Sequence, residues 1–141
     1  MQSSLAHEDV TFRGKNYHTT VSRQADRSLP IVTNEQGEKF VDNRIKLRVE
    51  CNNRTIVDRE FTKNDFAAWV DARFLRYAIL EALVFNEVTP SGLAFSASIC
   101  YPQTDLYLPL RITVEANGNL RIEREELEEA PASVEDSIRN P

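Results

Sequence analysis

The chain has 141 residues, with 17 Lys and Arg against 22 Asp and Glu, a net charge of −5. Hydrophobic residues make up 41% and charged residues 28%, the balance of a globular domain that buries roughly two-thirds of its unfolded surface without a metal or a disulfide staple. These figures exclude a collagen-like or disulfide-rich scaffold. The lack of a basic stripe argues against a nucleic-acid module, and no apolar run reaches the roughly 20 residues of a bilayer span.

Residues 1–9 contain no apolar stretch of the signal-peptide kind and read as a disordered N-terminus. A single globular domain is expected over residues 10–125. Residues 121–141 hold seven Asp or Glu and three Arg, leaving −1 for the rest of the chain. The stretch from 126 to 141 therefore reads as an acidic, solvated C-terminal tail.

Within the domain the apolar period is mostly two, the signature of strands with one buried face. Val10 and Phe12, then Tyr17, Thr19 and Val21, suggest a hairpin around Gly14. Pro30 and the polar run 33–37 mark a long surface loop. Ile45, Leu47 and Val49 alternate with Lys46, Arg48 and Glu50, and Asn52-Asn53 marks a turn before a strand over 54–61. Residues 79–88 are apolar on both faces and read as a central strand. Leu93, Phe95, Ala97, Ile99 and Tyr101 form one further face, and Leu106, Leu108, Leu110, Ile112 and Val114 another. Asn117-Gly118 is the strongest hairpin signal, before a short strand with Leu120 and Ile122.

One segment breaks this pattern. Thr62 and Asp65 are spaced as a weak capping box, and Phe61 and Phe66 as a hydrophobic staple. Phe66, Trp69, Val70, Phe74 and Tyr77 recur at spacings of three and four, which predicts one helix over about 63–76 with Trp69 buried. The expected class is α+β, mainly β. An antiparallel curved sheet of about seven or eight strands would pack on that helix, in a cystatin-like element order. The alternative is an all-β barrel or sandwich with one helix.

No Gly-rich phosphate loop, nucleophile elbow, Cys-x-x-Cys or His-Glu-x-x-His occurs. Cys51 and Cys100 are too few for a disulfide framework, and their expected orientation leaves pairing open. His7 and His18 lie eleven residues apart, weak evidence for a metal site, so neither a metal nor a cofactor is expected and folding should be indifferent to chelators. Two segments stand out. One is Asp42-Asn43-Arg44 at the entrance to a strand. The other, residues 101–109, carries Tyr101, Gln103, Asp105 and Tyr107 between two prolines. Tyrosines beside an amide and a carboxylate suit recognition of a sugar or peptide. The competing reading is a rigid connection in which Asp105 satisfies loop amides and Tyr101 packs with Phe95 and Ile99. Asp42, Tyr101, Gln103, Asp105 and Tyr107 are the candidate ligand-binding residues.

The segments TFRGKNYHTTVSR (11–23), VDNRIKL (41–47), REFTKNDF (59–66), ILEALVF (79–85) and SICYPQTDLYLPLRITV (98–114) resemble an uncharacterised Bacteroidetes family classed only as a domain of unknown function. The resemblance spans about residues 10–125, and the block 101–109 is its most specific part. It implies a secreted or lipid-anchored envelope protein made with an N-terminal export signal, which would end before Met1. It implies no activity, cofactor or catalytic residue. The expected function is a non-enzymatic cell-envelope binding or scaffolding domain with a protein or small-molecule partner. The alternative is a hydrolase-type enzyme with a site assembled from scattered residues.

Overall fold

The computed structural model describes residues 3–125; the expected acidic tail, 126–141, lies outside them. Two antiparallel meanders make up most of the chain. The first four-stranded sheet has the order β1(Ser4–Phe12), β2(Lys15–Ala25), β5(Asn43–Cys51), β6(Arg54–Phe61). The second runs β7(Ile79–Thr89), β8(Gly92–Cys100), β9(Tyr107–Val114), β10(Leu120–Arg124). A two-stranded ribbon, β3(Val32–Thr33) and β4(Lys39–Phe40), is inserted between β2 and β5. Over the described residues the architecture is mostly β and antiparallel, without a closed barrel. Its strands divide between two sheets rather than forming one curved sheet around a helix.

Tight turns explain the meanders. Arg13 and Gly14 (φ 53° and 77°) join β1 to β2, and Asn52 and Asn53 (φ 52° and 65°) join β5 to β6. Two consecutive left-handed residues match the right-handed twist of the flanking strands. At the β7–β8 hairpin Gly92 has φ 153°, and a β-carbon there would collide with the Val114 carbonyl oxygen. Only glycine fits that approach.

The apolar faces of both sheets meet in one core. Val10, Phe12, Tyr17, Val21, Ile45, Leu47, Val49 and Val57 come from the first sheet; Leu80, Leu83, Leu93, Phe95, Ala97, Ile99, Leu110, Ile112 and Val114 come from the second. The expected alternation of β2, β5 and β8 is present. Ser4 to Asp9, expected to be disordered, instead pair with β2 from Ser4↔Arg23 to Asp9↔His18. Their side chains are exposed, so burial gives no sequence signal, and the ladder itself orders them.

The helical crossover between the sheets is not one continuous helix. A 3-10 segment covers Lys63–Trp69, Val70 is extended, and α1 covers only Ala72–Arg76. The N-terminal signals are real: Asp65 Oδ2 accepts the Thr62 N–H at 2.8 Å, and Phe61 stacks on Phe66 at 5.7 Å. The break comes at Asp71, whose carboxylate accepts the N–H groups of Arg73 and Phe74 at 3.1 and 3.2 Å. It caps a new helix rather than continuing the old one. The new start rotates the apolar stripe: Phe66 and Val70 are buried, whereas Trp69, Phe74 and Tyr77 are half-buried.

The strand expected to be central, β7, is an edge strand. Its register slips between Leu80 and Ala82 and again between Phe85 and Glu87. Each extra residue shifts which side chain faces the core, so its apolar residues do not follow a simple alternation and Val84 and Val88 are exposed. The run 33–37, expected as a loop, is the tip of the β3–β4 ribbon. Val32 and Phe40 pack against Ile79 and Cys100, seating the ribbon on the second sheet.

Candidate functional site

The candidate site forms where the ribbon meets the β8–β9 connection. Asn34, Glu35 and Gln36 at the ribbon tip, Tyr77 after α1, and Tyr101, Pro102, Thr104 and Leu106 line a cavity of about 270 Å³. A neighbouring depression of about 370 Å³ shares Asn34 and Tyr77 and adds Ile31, Thr33 and Arg76.

Both tyrosine walls are backed. Phe74 stacks on Tyr101 with centroids 4.6 Å apart and an interplanar angle of 18°, and the Arg76 guanidinium lies 5.4 Å from the Tyr77 centroid. Stacking and cation–π contact hold the rings in place. The ribbon tip is equally fixed: Asn34 Oδ1 accepts the N–H groups of Gln36 and Glu38 at 3.0 and 2.9 Å. The loop opposite is closed by Thr104. Its hydroxyl donates to the Tyr101 carbonyl at 2.9 Å and accepts the Leu106 N–H at 3.1 Å, and Tyr101 N–H donates to the Leu106 carbonyl at 3.0 Å.

The five candidate residues are not brought together. Tyr101 lines the cavity but stacks on Phe74, on the helical crossover. Gln103, at φ 63°, and Asp105 and Tyr107 are exposed and do not line it. Asp105, expected to satisfy the loop amides, makes no hydrogen bond to another described residue. Thr104 serves there because its hydroxyl both donates and accepts at one short reach, whereas an ionised carboxylate only accepts.

Asp42 lies elsewhere, 3% exposed. Its Oδ1 accepts the N–H groups of Asn43 and Leu80 at 2.8 and 2.9 Å, and Lys63 Nζ is 3.8 Å from Oδ2. Burial raises the Asp42 carboxyl above the usual carboxylate range, opposed by the two amides and Lys63; burial also lowers the Lys63 ammonium. Lys63 Nζ further donates to the Ala78 carbonyl at 2.7 Å. This node joins β5, the helical crossover and β7, and Asp42 is not among the residues that line the cavity.

Tyr77, Asn34, Glu35, Gln36 and Thr104 were not singled out by sequence. Tyr77 carried a helical-stripe signal pointing inward, and the ribbon tip read only as a polar loop. Chemically the cavity offers two fixed aromatic faces, the Tyr77 and Tyr101 hydroxyls, and the Glu35 and Gln36 side chains. None of these polar groups has a side-chain hydrogen-bond partner among the described residues. Also among the described residues, no group of three or more His, Cys, Asp or Glu is placed to hold a metal, and no helix is long and apolar enough to cross a membrane. Cys51 and Cys100 are free thiols, so the open question of their pairing is answered in that sense.

Fold and site together define a small antiparallel β domain of two stacked meanders with an aromatic-walled cleft at one end. The chain belongs to the family described as Domain of unknown function (DUF4738), matched over residues 1–122. The match takes in the N-terminal strand as well as the blocks that carried the resemblance. No curated protein matches the chain.

Proposed function

We propose that this domain is a non-enzymatic binding module of the cell envelope and that its ligand seats in the Tyr77–Tyr101 cleft. The observation that carries the reading is the pairing of two backed tyrosines, Tyr77 and Tyr101, with the Glu35 carboxylate and the Gln36 amide of the opposing ribbon tip. Apolar walls with a few convergent polar groups are the usual make-up of a small-molecule site. Among the described residues no Lys or Arg lines the cavity, and Glu35 is the one carboxylate that does. A neutral ring bearing hydroxyls, such as a single sugar unit, matches that lining better than an anion does. Envelope placement, and an origin in Bacteroidetes, are supported by the sequence resemblance.

Nuclear magnetic resonance titration with neutral mono- and disaccharides tests the ligand class. Shifts confined to residues 34–36, 77 and 101–106, lost in Tyr101→Ala, support the reading. Shifts only with peptides would transfer the site to a protein partner, and no response at the cleft to either would remove it. Fractionation of cells carrying the full-length gene tests the placement, which a cytoplasmic product would refute. The hydrolase alternative would gain ground if ester or glycoside turnover were abolished by Glu35→Gln.

A further inference from the structure

The outer face of the β1–β2 hairpin carries a second arrangement, independent of the cleft. His7 and His18 are the only histidines in the chain. The hairpin register pairs His7 with Thr20 and His18 with Asp9, making the two imidazoles diagonal neighbours. Their rings stack with centroids 5.3 Å apart and planes 25° apart.

Each ring uses its Nδ1 locally. His18 Nδ1 lies 2.7 Å from Asp9 Oδ1. A carboxylate oxygen accepts, so in a neutral imidazole this contact selects the tautomer with the proton on Nδ1 and the lone pair on Nε2. This is the carboxylate–imidazole arrangement that orients metal-binding histidines. His7 Nδ1 lies 3.3 Å from Thr20 Oγ1. A hydroxyl serves either tautomer, so His7 can present its Nε2 lone pair as well. Neither Nε2 has a hydrogen-bond partner among the described residues.

We propose that His7 and His18 chelate one divalent transition-metal ion through their Nε2 atoms, with Asp9 as a positioning residue. Two nitrogens at about 2 Å from one ion stand closer than the stacked ring centres, so the rings tilt together. Both are accessible enough to do so: His7 is exposed, and the His18 side chain is 41% exposed. With no larger ligand cluster among the described residues, solvent completes the coordination. A site with two imidazoles favours Cu²⁺ over the other first-row ions.

Titration of the tag-free chain with Cu²⁺, followed by calorimetry and electron paramagnetic resonance, tests this. Saturation at one equivalent with coupling to two imidazole nitrogens is expected. His7→Gln and His18→Gln should each remove one nitrogen. Asp9→Asn should keep both nitrogens and weaken binding by about 10-fold or more. Imidazole resonances followed during a Zn²⁺ titration give a second readout, in which both rings should shift together. Absence of saturable binding, or a two-nitrogen signature that survives both histidine substitutions, overturns the proposal.

Discussion

Asn43 donates through Nδ2 to the Leu80 carbonyl at 2.8 Å, while the neighbouring Asp42 accepts the Leu80 N–H at 2.9 Å. Two consecutive side chains at the entrance to β5 thus satisfy both backbone groups of one residue on the edge strand β7, as a partner strand would. The bulged Glu81 carbonyl beside it accepts from Arg23 at 2.9 Å. The edge is joined to the first sheet by side chains where no backbone ladder runs. Asn43→Leu should destabilise by about 1–3 kcal/mol, because a buried carbonyl loses its donor. A lower urea midpoint with an unchanged m-value checks this.

Residues 101–106 offer a direct contrast between two neighbours. Thr104→Val removes the hydroxyl that closes the loop and should cost about 1 kcal/mol. Asp105→Ala removes an exposed carboxylate and should leave stability within about 0.5 kcal/mol. Denaturant melts of both variants separate the two roles. A large loss in Asp105→Ala would return the structural duty to that residue.

The break at Val70–Asp71 reorders the aromatic residues by importance. Phe66 is 0% exposed, so Phe66→Ala should cost about 3–5 kcal/mol. Trp69, half-buried, should cost less on truncation than the full burial expected from the helical stripe. Thermal or urea unfolding of the two variants gives the ranking, and the reverse order would refute the broken-helix packing.

The two thiols should differ in reactivity. Cys100 is 6% exposed, and its thiol is pushed up to about 12, first by burial and then by the nearby Glu81 carboxylate. It stays protonated and covered near neutral pH, whereas a thiolate is the reactive form. Alkylation of the native protein at pH 8 should label Cys51, which is half-buried, well before Cys100. Unfolding should equalise the two rates, as read by peptide mass spectrometry.

Asp26 sets an acid-sensitive contact. Hydrogen bonds from Ser28, then from Arg44 at 2.7 Å, lower its carboxyl from 3.8 to about 2. A carboxyl depressed in the folded state stabilises the fold above its ordinary value, and that stability is lost as the pH falls through the folded value. The wild-type chain should therefore lose more stability between pH 4 and about 2 than Asp26→Asn does. Parallel acid titrations of unfolding would show the difference, and identical slopes would contradict it.

Much of the sheet content was readable because a half-buried strand writes itself as alternation. Ile45 to Val49 and Leu93 to Ile99 have that pattern, and their inward residues are the core. The end of β1 was readable at Val10 and Phe12, but Ser4 to Asp9 were not, because pairing along a neighbouring strand can order exposed polar residues without an apolar face. The cleft was readable only at Tyr101. Its other walls lie far away in sequence, at 34–36 and 77, and nothing local says that a polar ribbon tip will face an aromatic loop.

Composition, the strand alternation, the paired turn residues and the capping signals at Thr62 and Phe66 were determined by the sequence itself, because each depends on neighbours within a few positions. The tertiary structure decided the rest. It divided the strands between two sheets and placed β7, with its two bulges, at an edge. It also buried Asp42 under Leu80. Those outcomes depend on contacts between segments distant along the chain, where the energy of packing and of satisfying buried backbone groups overrides local preference.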